Sequence, residues 1–145
     1  MTMLSKVLRF GRKKPPVVSV IRLAGAIMSG GGGLSRATLN DAGTAPLIER
    51  AFRKGKPVAV AVVINSPGGS PTQSALIAAR IRRLADETET PVHVFCEDVA
   101  ASGGYWLATA GDDITVDANS VIGSIGVISS GFGFHELIGR YGIER

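Results

Sequence analysis

The segment from Cys96 to Ala110 constrains the fold most, because it changes from one secondary structure to another within a few small residues. An apolar run typical of a buried strand ends at Cys96, and a helix-forming segment follows Ser102. Small residues surround Ser102, so the sequence predicts a tight strand-to-helix turn. A serine in such a turn can direct its hydroxyl into a cleft beside the free amides of a helix N-terminus, which suits a nucleophile. Close packing of the helix on a sheet would explain the same small residues.

A second junction of the same kind follows the apolar run Val58–Ile64, in the segment Asn65-Ser66-Pro67-Gly68-Gly69-Ser70. Proline ends the strand, and the glycine pair lets the backbone approach a ligand closely. Ser70 is positioned to cap the helix that begins near Pro71. In a parallel sheet both junctions lie at the carboxyl edge, where ligands bind.

The order of apolar runs and amphipathic segments predicts an α/β fold with a mainly parallel sheet built from βαβ units. The predicted strands are Val17–Leu23, Val58–Ile64, Val92–Cys96 and Asp113–Val116. The predicted helices are Thr38–Lys54, Pro71–Asp86, Ser102–Ala110 and Phe134–Tyr141, with a turn and short strand within Ser120–Ser130. Pro46 indicates that the regular part of the first helix begins near Thr44.

Charge is divided unevenly along the 145 residues, since 11 of the 16 basic but only 2 of the 12 acidic side chains precede residue 57. We expect residues 1–16 to form a basic, flexible tail. A solvated tail is the plain interpretation, contact with a membrane surface is the alternative, and no nucleic-acid partner is expected. No apolar run reaches the roughly 18 residues of a membrane span, so we expect a cytoplasmic protein, peripheral at the inner face of a membrane in the alternative.

The single cysteine, Cys96, excludes an internal disulfide and a cysteine-based zinc site. We expect it to be a buried apolar residue. Asp112, Asp113 and Asp117 lie in turns, where acidic residues are typical caps, so no metal site is expected.

Three motifs together resemble the signal peptide peptidase A family of serine peptidases, which shares the fold of the Clp protease and the crotonases. The motifs are residues 65–70, the segment Asp98-Val99-Ala100-Ala101-Ser102-Gly103-Gly104-Tyr105, and Ile122-Gly123-Ser124-Ile125-Gly126-Val127. The resemblance implies Ser102 as nucleophile and the amides of Gly69 and Gly103 as oxyanion donors. It also implies cleavage of hydrophobic or signal peptides by a homo-oligomer without a cofactor. The residues expected to contact substrate are Pro67, Gly68, Ser70, Gly104 and Ser124.

That family uses a lysine after the serine as general base, whereas no lysine follows Lys56 here. Arginine cannot replace it, because the guanidinium stays protonated. We therefore expect residues 17–145 to be the N-terminal part of a peptidase domain, with a Ser-Lys dyad completed outside this chain or by a neighbouring subunit. His93, within a predicted strand, and His135, at the start of the last helix, are weaker candidates.

Two other functions stay open from the sequence. A crotonase-like enzyme would use the same pair of amides to polarise an acyl-CoA thioester, with Glu97 or Asp98 as the nearest acidic residues. A non-catalytic module would bind a hydrophobic peptide in the same cleft without cleaving it.

Overall fold

The computed structural model of the chain describes residues 15–30, 38–127 and 133–142. Within them the strands are β1 Val18–Ala24, β2 Ala26–Ile27, β3 Thr38–Leu39, β4 Ala59–Ser66, β5 Val92–Ala101, β6 Asp113–Val116 and β7 Val121–Gly123. The helices are α1 Asp41–Arg53, α2 Pro71–Thr88, α3 Gly103–Ala108 and α4 His135–Arg140. The basic tail falls almost entirely in residues 1–14, outside the described ranges.

The main sheet has the order β1-β4-β5-β6, and β7 pairs with the carboxyl end of β5. Every pairing is parallel, and β2 and β3 form a separate two-stranded parallel ladder. The predicted α/β fold with a mainly parallel sheet is therefore confirmed. Because β4 and β5 are parallel neighbours, their carboxyl ends lie side by side, which brings the two predicted junctions to one edge.

The hydrophobic core lies between the sheet and the row of helices α1, α2 and α3. Alternate residues of the central strands point into it, and they are fully buried. The largest fully buried side chains of the core come from both the strands and the helices, and they are Ile21, Leu23, Ile27, Ile48, Phe52, Val60, Val62, Ile64, Ile77, Ile81, Leu84 and Leu107. Cys96 is buried at the edge of this core as expected, and burial raises the pKa of its thiol.

The opposite face of the sheet is more open than the apolar run of β4 predicts. Val20 on β1 is 65% exposed and Phe95 on β5 is 42% exposed. Val63 on β4, which pairs with Phe95, is half-buried. None of the described helices is both long and apolar enough to cross a membrane.

The first helix begins at a different residue from the predicted one. Thr38 and Leu39 form β3 rather than helix, because they pair with Ala26 and Ile27. The helix then starts at Asp41, earlier than Pro46 indicates. The Asn40 side chain accepts a hydrogen bond from the Gly43 amide (2.8 Å), and the Asp41 amide donates to the Gln73 side chain (2.8 Å). These contacts satisfy amides that a helix N-terminus leaves free.

Strand β5 continues to Ala101, five residues beyond its predicted end at Cys96. The pairing with β4 shifts register between Ile64–Cys96 and Ser66–Ala100, so the bulge accommodates the polar pair Glu97–Asp98. The bulged segment is held by side-chain contacts from Arg22 to Glu97 and from Asn65 to Asp98. As a result β5 ends directly before Ser102.

Helices α1 and α2 are joined by a two-pronged ion pair between Asp41 and Arg80. The Nε and Nη2 atoms of Arg80 donate to the two carboxylate oxygens of Asp41 at 2.8 and 2.7 Å. Both side chains are largely buried. The hydrogen bonds from Arg80 lower the pKa of Asp41 from its usual value of 3.8.

We expect Asp41→Asn to lower the free energy of unfolding by about 1 kcal/mol at neutral pH, where the charged hydrogen bonds are intact. Because the folded-state pKa is lowered, this contribution is fully present above the unfolded pKa near 3.8 and is lost as the pH falls through the folded pKa. Urea unfolding at a series of pH values measures the difference between the two proteins. Asp86→Asn, which removes an exposed i,i+4 pair with Arg82, is the control and should change stability little. A difference for Asp41→Asn that stays constant down to pH 2 would contradict this account.

Candidate active site

Ser102 occupies a one-residue turn between β5 and α3. Its backbone angles are φ 51° and ψ −118°, a conformation that side-chain-bearing residues rarely adopt. The turn is held on both sides, since the Ser102 amide donates to the Gly123 carbonyl (2.7 Å) and the Ser102 carbonyl accepts from the Trp106 amide (3.0 Å). A strained serine between a strand and a helix has the geometry that exposes a nucleophilic hydroxyl.

The glycine turn after β4 lies directly against the Ser102 turn. A Cβ atom added to Gly68 would come within 2.6 Å of both the Ala101 carbonyl oxygen and the Gly103 amide nitrogen. The same atom would lie 2.8 Å from the Cβ of Ser102. Gly68 also has a φ of 91°, so both its conformation and its surroundings exclude a side chain.

Backbone hydrogen bonds fix the position of this glycine turn. The Gly68 carbonyl accepts from the Ile27 amide (2.8 Å), and the Ile27 carbonyl accepts from the Ser70 amide (2.7 Å). Gly69, with a φ of 143°, packs so closely on Ile27 that a Cβ would collide with the Ile27 carbonyl group. The turn is therefore tied to β2 on one side and touches the Ser102 turn on the other.

The amides of Gly69 and Gly103 are not used in this hydrogen-bond network. Within the described ranges, neither amide donates to another residue. Both residues line the same cleft as Ser102. Free amides beside a serine hydroxyl can bind an oxygen that gains negative charge during acyl transfer.

The cleft itself has a volume of about 430 Å³ and mostly apolar walls. Trp106 and Tyr105 of α3 form one side, and Ile125 and Val127, which are 78% and 81% exposed, form another. The remaining lining residues are Gly69, Pro71, Ser102, Gly103, Thr109 and Gly126. A site of this shape accepts an apolar side chain next to Ser102.

Five residues that the sequence assigns to substrate binding lie around the cleft rather than in its lining. Their assignment stays a prediction. Gly68 supports the Ser102 turn, Ser70 caps α2 by accepting from the Gln73 amide (3.4 Å), and Gly104 faces Ser66 inside the fold. Ser124, exposed and with a φ of 53°, adjoins Ile125, and Pro67 precedes the glycine pair.

Sequence reasoning did not single out Trp106 and Thr109 as part of the site. Their spacing from Ser102, four and seven residues, places them on the same side of a helix, which is the signal that identifies them. It also missed Ile125, Gly126 and Val127 as a wall of the cleft, although the third motif contains them.

Neither lysine nor histidine lines the cleft in the described part of the chain. His93 contacts Asp113 on β6 (2.6 Å between Nδ1 and Oδ2), and His135 is the first residue of α4. Lys54 and Lys56 flank the turn that leads into the amino end of β4, opposite the cleft. Neither of these described lysines is therefore placed to contact the Ser102 hydroxyl.

The acidic residues considered for other functions have separate roles. Glu97 pairs with Arg22 and Asp98 accepts from Asn65, and neither lines the cleft. Asp112 accepts from the Val92 amide (2.7 Å), which lowers the pKa of its carboxyl group. In the described ranges, no group of three or more His, Cys, Asp or Glu side chains is placed to hold a metal ion.

Residues 85–145 match the sequence profile of Peptidase family S49. The serine protease SPPA, chloroplastic, of Arabidopsis thaliana is 36% identical over 83% of this chain and 19% of its own length. The Na(+)/H(+) antiporter NhaA of Brucella melitensis is 56% identical over 88% of this chain and 17% of its own length. The chain thus spans about a fifth of the length of these two curated relatives.

A solved structure has the same fold. It is a serine-to-alanine mutant of the membrane-bound stomatin-specific protease 1510-N, with a TM-score of 0.59 and 17% sequence identity. The superposition covers 89% of this chain and 60% of that one. At this identity the similarity establishes the fold alone, and it agrees with the predicted Clp-protease-like fold.

We expect Ser102→Gly to be more stable than Ser102→Ala by about 1 kcal/mol, because glycine adopts a φ of 51° without strain whereas alanine keeps the Cβ atom. Urea unfolding of the two variants measures the difference directly, and both lack the hydroxyl, so its loss cancels. Equal stabilities, or a more stable alanine variant, would show that the Ser102 turn carries no backbone strain.

Proposed function

We propose that the protein containing this chain is a serine endopeptidase of family S49 with Ser102 as its nucleophile, supported by the profile match over residues 85–145 and by the similarity to the serine protease SPPA, chloroplastic. The observation that carries the proposal is the strained Ser102 turn in contact with a glycine turn, with the Gly69 and Gly103 amides on the same cleft and donating to no other described residue. A buried serine that only filled space would not require this backbone conformation.

In the proposed reaction, the Oγ atom of Ser102 attacks the carbonyl carbon of the scissile peptide bond and its proton passes to a general base. The carbonyl oxygen becomes negatively charged and accepts hydrogen bonds from the Gly69 and Gly103 amides. The C–N bond then breaks, the leaving amine takes a proton from the base, and an acyl-serine ester remains. Water hydrolyses that ester by the same sequence of proton transfers and restores the Ser102 hydroxyl.

We propose a lysine as the general base, in a Ser-Lys dyad, and place it outside these 145 residues. The match to the profile of Peptidase family S49 supports the lysine, and its proposed location follows because no lysine comes after Lys56 in the sequence. A lysine from a neighbouring subunit would serve the same chemistry. In either case it must be neutral and within hydrogen-bond reach of the Ser102 hydroxyl.

The proposed substrates are hydrophobic peptides, including signal peptides. The apolar lining formed by Trp106, Ile125 and Val127 supports this class, because apolar side chains gain most from leaving water in such a cleft. The Gly69 and Gly103 amides, which donate to no other described residue, could bind the carbonyl oxygen of any acyl substrate. Since neither Glu97 nor Asp98 lines the cleft, a peptide fits the site better than a thioester whose reaction needs a carboxylate base.

We also propose that residues 17–145 form the N-terminal part of a peptidase domain that works as a homo-oligomer. Phe134, Leu137 and Tyr141, on or next to α4, are exposed apolar residues of the kind that subunit interfaces cover. For the basic tail we propose contact with an anionic membrane surface, on the basis of its sequence and charge alone.

We expect Ser102→Ala in the full-length protein to abolish cleavage of a fluorogenic hydrophobic peptide, because the variant lacks the hydroxyl that the proposed reaction uses as its nucleophile. Ser19→Ala, a serine on β1 that does not line the cleft, is the matched control and should keep wild-type turnover. Circular dichroism would verify that both variants fold. Wild-type turnover in Ser102→Ala would refute the proposal, whereas peptide binding without hydrolysis by any variant, wild type included, would indicate a non-catalytic module.

A further inference from the structure

Ser66 is a buried polar residue to which the proposed reaction gives no role. It is the last residue of β4, its exposed fraction is 0%, and it precedes the glycine turn. Its Oγ atom donates a hydrogen bond to the Gly25 carbonyl (2.7 Å) and accepts one from the Gly68 amide (3.1 Å). The hydroxyl therefore bridges two backbone segments that are 43 residues apart, counted from Gly25 to Gly68 in the sequence.

The first of these segments is the connection from β1 to β2, which runs alongside the glycine turn. The Gly25 amide donates to the Asn65 carbonyl (2.9 Å), and the Ile27 amide donates to the Gly68 carbonyl (2.8 Å). These are contacts between backbone groups. Ser66 adds a side-chain contact at the point where the turn leaves the strand, and this contact orients the Gly68 peptide unit.

The second neighbour of Ser66 is the helix that follows Ser102. A Cβ atom on Gly104 would collide with the Ser66 carbonyl and would lie 3.2 Å from the Ser66 Cβ. Ser66 thus touches α3 with its backbone while its hydroxyl holds Gly68. Ser66 therefore contacts both the glycine turn that carries the Gly69 amide and the helix that follows Ser102.

We propose that Ser66 is a positioning residue, which holds the Gly68–Gly69 turn so that the Gly69 amide faces the oxyanion formed at Ser102. The proposal rests on the proposed peptidase function. A hydroxyl suits this role because it donates and accepts at the same time, and both of its partners are backbone groups. Ser66 acts through Gly68 and does not touch the substrate.

Removal of the hydroxyl in Ser66→Ala leaves the Gly25 carbonyl and the Gly68 amide without their partner in a buried place, where an unmade hydrogen bond is costly. The turn then shifts to recover hydrogen bonds, and the Gly69 amide moves with it. Because a displacement of about 1 Å can reduce a reaction rate about a hundredfold, we expect kcat to fall by about ten- to a hundredfold. The oxyanion exists only in the transition state, so KM should change by less than about threefold.

The test compares kcat and KM of the wild-type full-length protein, Ser66→Ala and Thr44→Val on one hydrophobic peptide. Thr44 is the matched control, because it is also a buried hydroxyl residue that bonds to a backbone carbonyl (2.8 Å to Asn40), but it lies in α1 and does not line the cleft. If Ser66→Ala does not fold, Ser66→Cys replaces it, since a thiol is a weaker donor and should give an intermediate kcat. A folded Ser66 variant with wild-type kcat, or an equal loss of kcat in Thr44→Val, would overturn the proposal.

Amide hydrogen exchange read by mass spectrometry tests the positioning role without any turnover. Peptides that contain Gly68 and Gly69 should exchange faster in Ser66→Ala than in the wild type, while peptides from the middle of α2 should not change. Unchanged exchange at the glycine turn would overturn the role of Ser66 even in an active enzyme. If the wild type cleaves no peptide but its glycine turn loses protection in Ser66→Ala, the proposed peptidase function fails and the structural role of Ser66 stands.

Discussion

The close contact between the Gly68–Gly69 turn and the Ser102 turn is the constraint on which the candidate site depends. The two turns belong to neighbouring parallel strands, β4 and β5, and they meet because the strands end at the same edge of the sheet. A Cβ at Gly68 would lie within 2.8 Å of three atoms of the Ser102 turn, so the contact needs glycine. Replacement of this glycine would separate the serine from the amide that the proposed reaction uses.

The surrounding structure holds this contact at the cost of local strain. Ser102 stays at φ 51° because β7 binds its amide on one side and α3 continues from it on the other. Such strain persists only where the surrounding fold holds the strained residue in place. For Ser102, the buried core formed by β4, β5 and α2 does this. In the proposed function, this turn presents the Ser102 hydroxyl to an apolar cleft beside the Gly69 and Gly103 amides, which donate to no other described residue.

Much of the architecture could be predicted from the sequence, because the apolar runs of β1, β4 and β5 and the amphipathic α2 are strong periodic signals. The residues at which individual helices and strands begin and end could not be predicted in the same way. Thr38 and Leu39 look like the start of a helix, yet they form β3 because Ala26 and Ile27 pair with them. The polar pair Glu97–Asp98 resembles the end of a strand, yet a bulge keeps it within β5.

For the site, the motifs were sufficient to predict that Ser102, Gly69 and Gly103 come together on one cleft. They could not reveal the role of Ser66, because its partners, the Gly25 carbonyl and the Gly68 amide, are backbone groups that meet only in the folded chain. Likewise, Trp106 reads as part of a buried helix in the sequence. In the folded chain it lines the cleft and is 47% exposed, so this side of α3 faces the cleft rather than the core.

A crystal structure of the full-length protein treated with a hydrophobic peptidyl phosphonate would test directly whether Ser102 is the nucleophile and whether the Gly69 and Gly103 amides bind the oxyanion. We expect a covalent bond from the Oγ atom of Ser102 to phosphorus, with the phosphonyl oxygen within hydrogen-bond distance of the Gly69 and Gly103 amides. A phosphonate bound to another residue, or an oxygen that points away from these two amides, would contradict it.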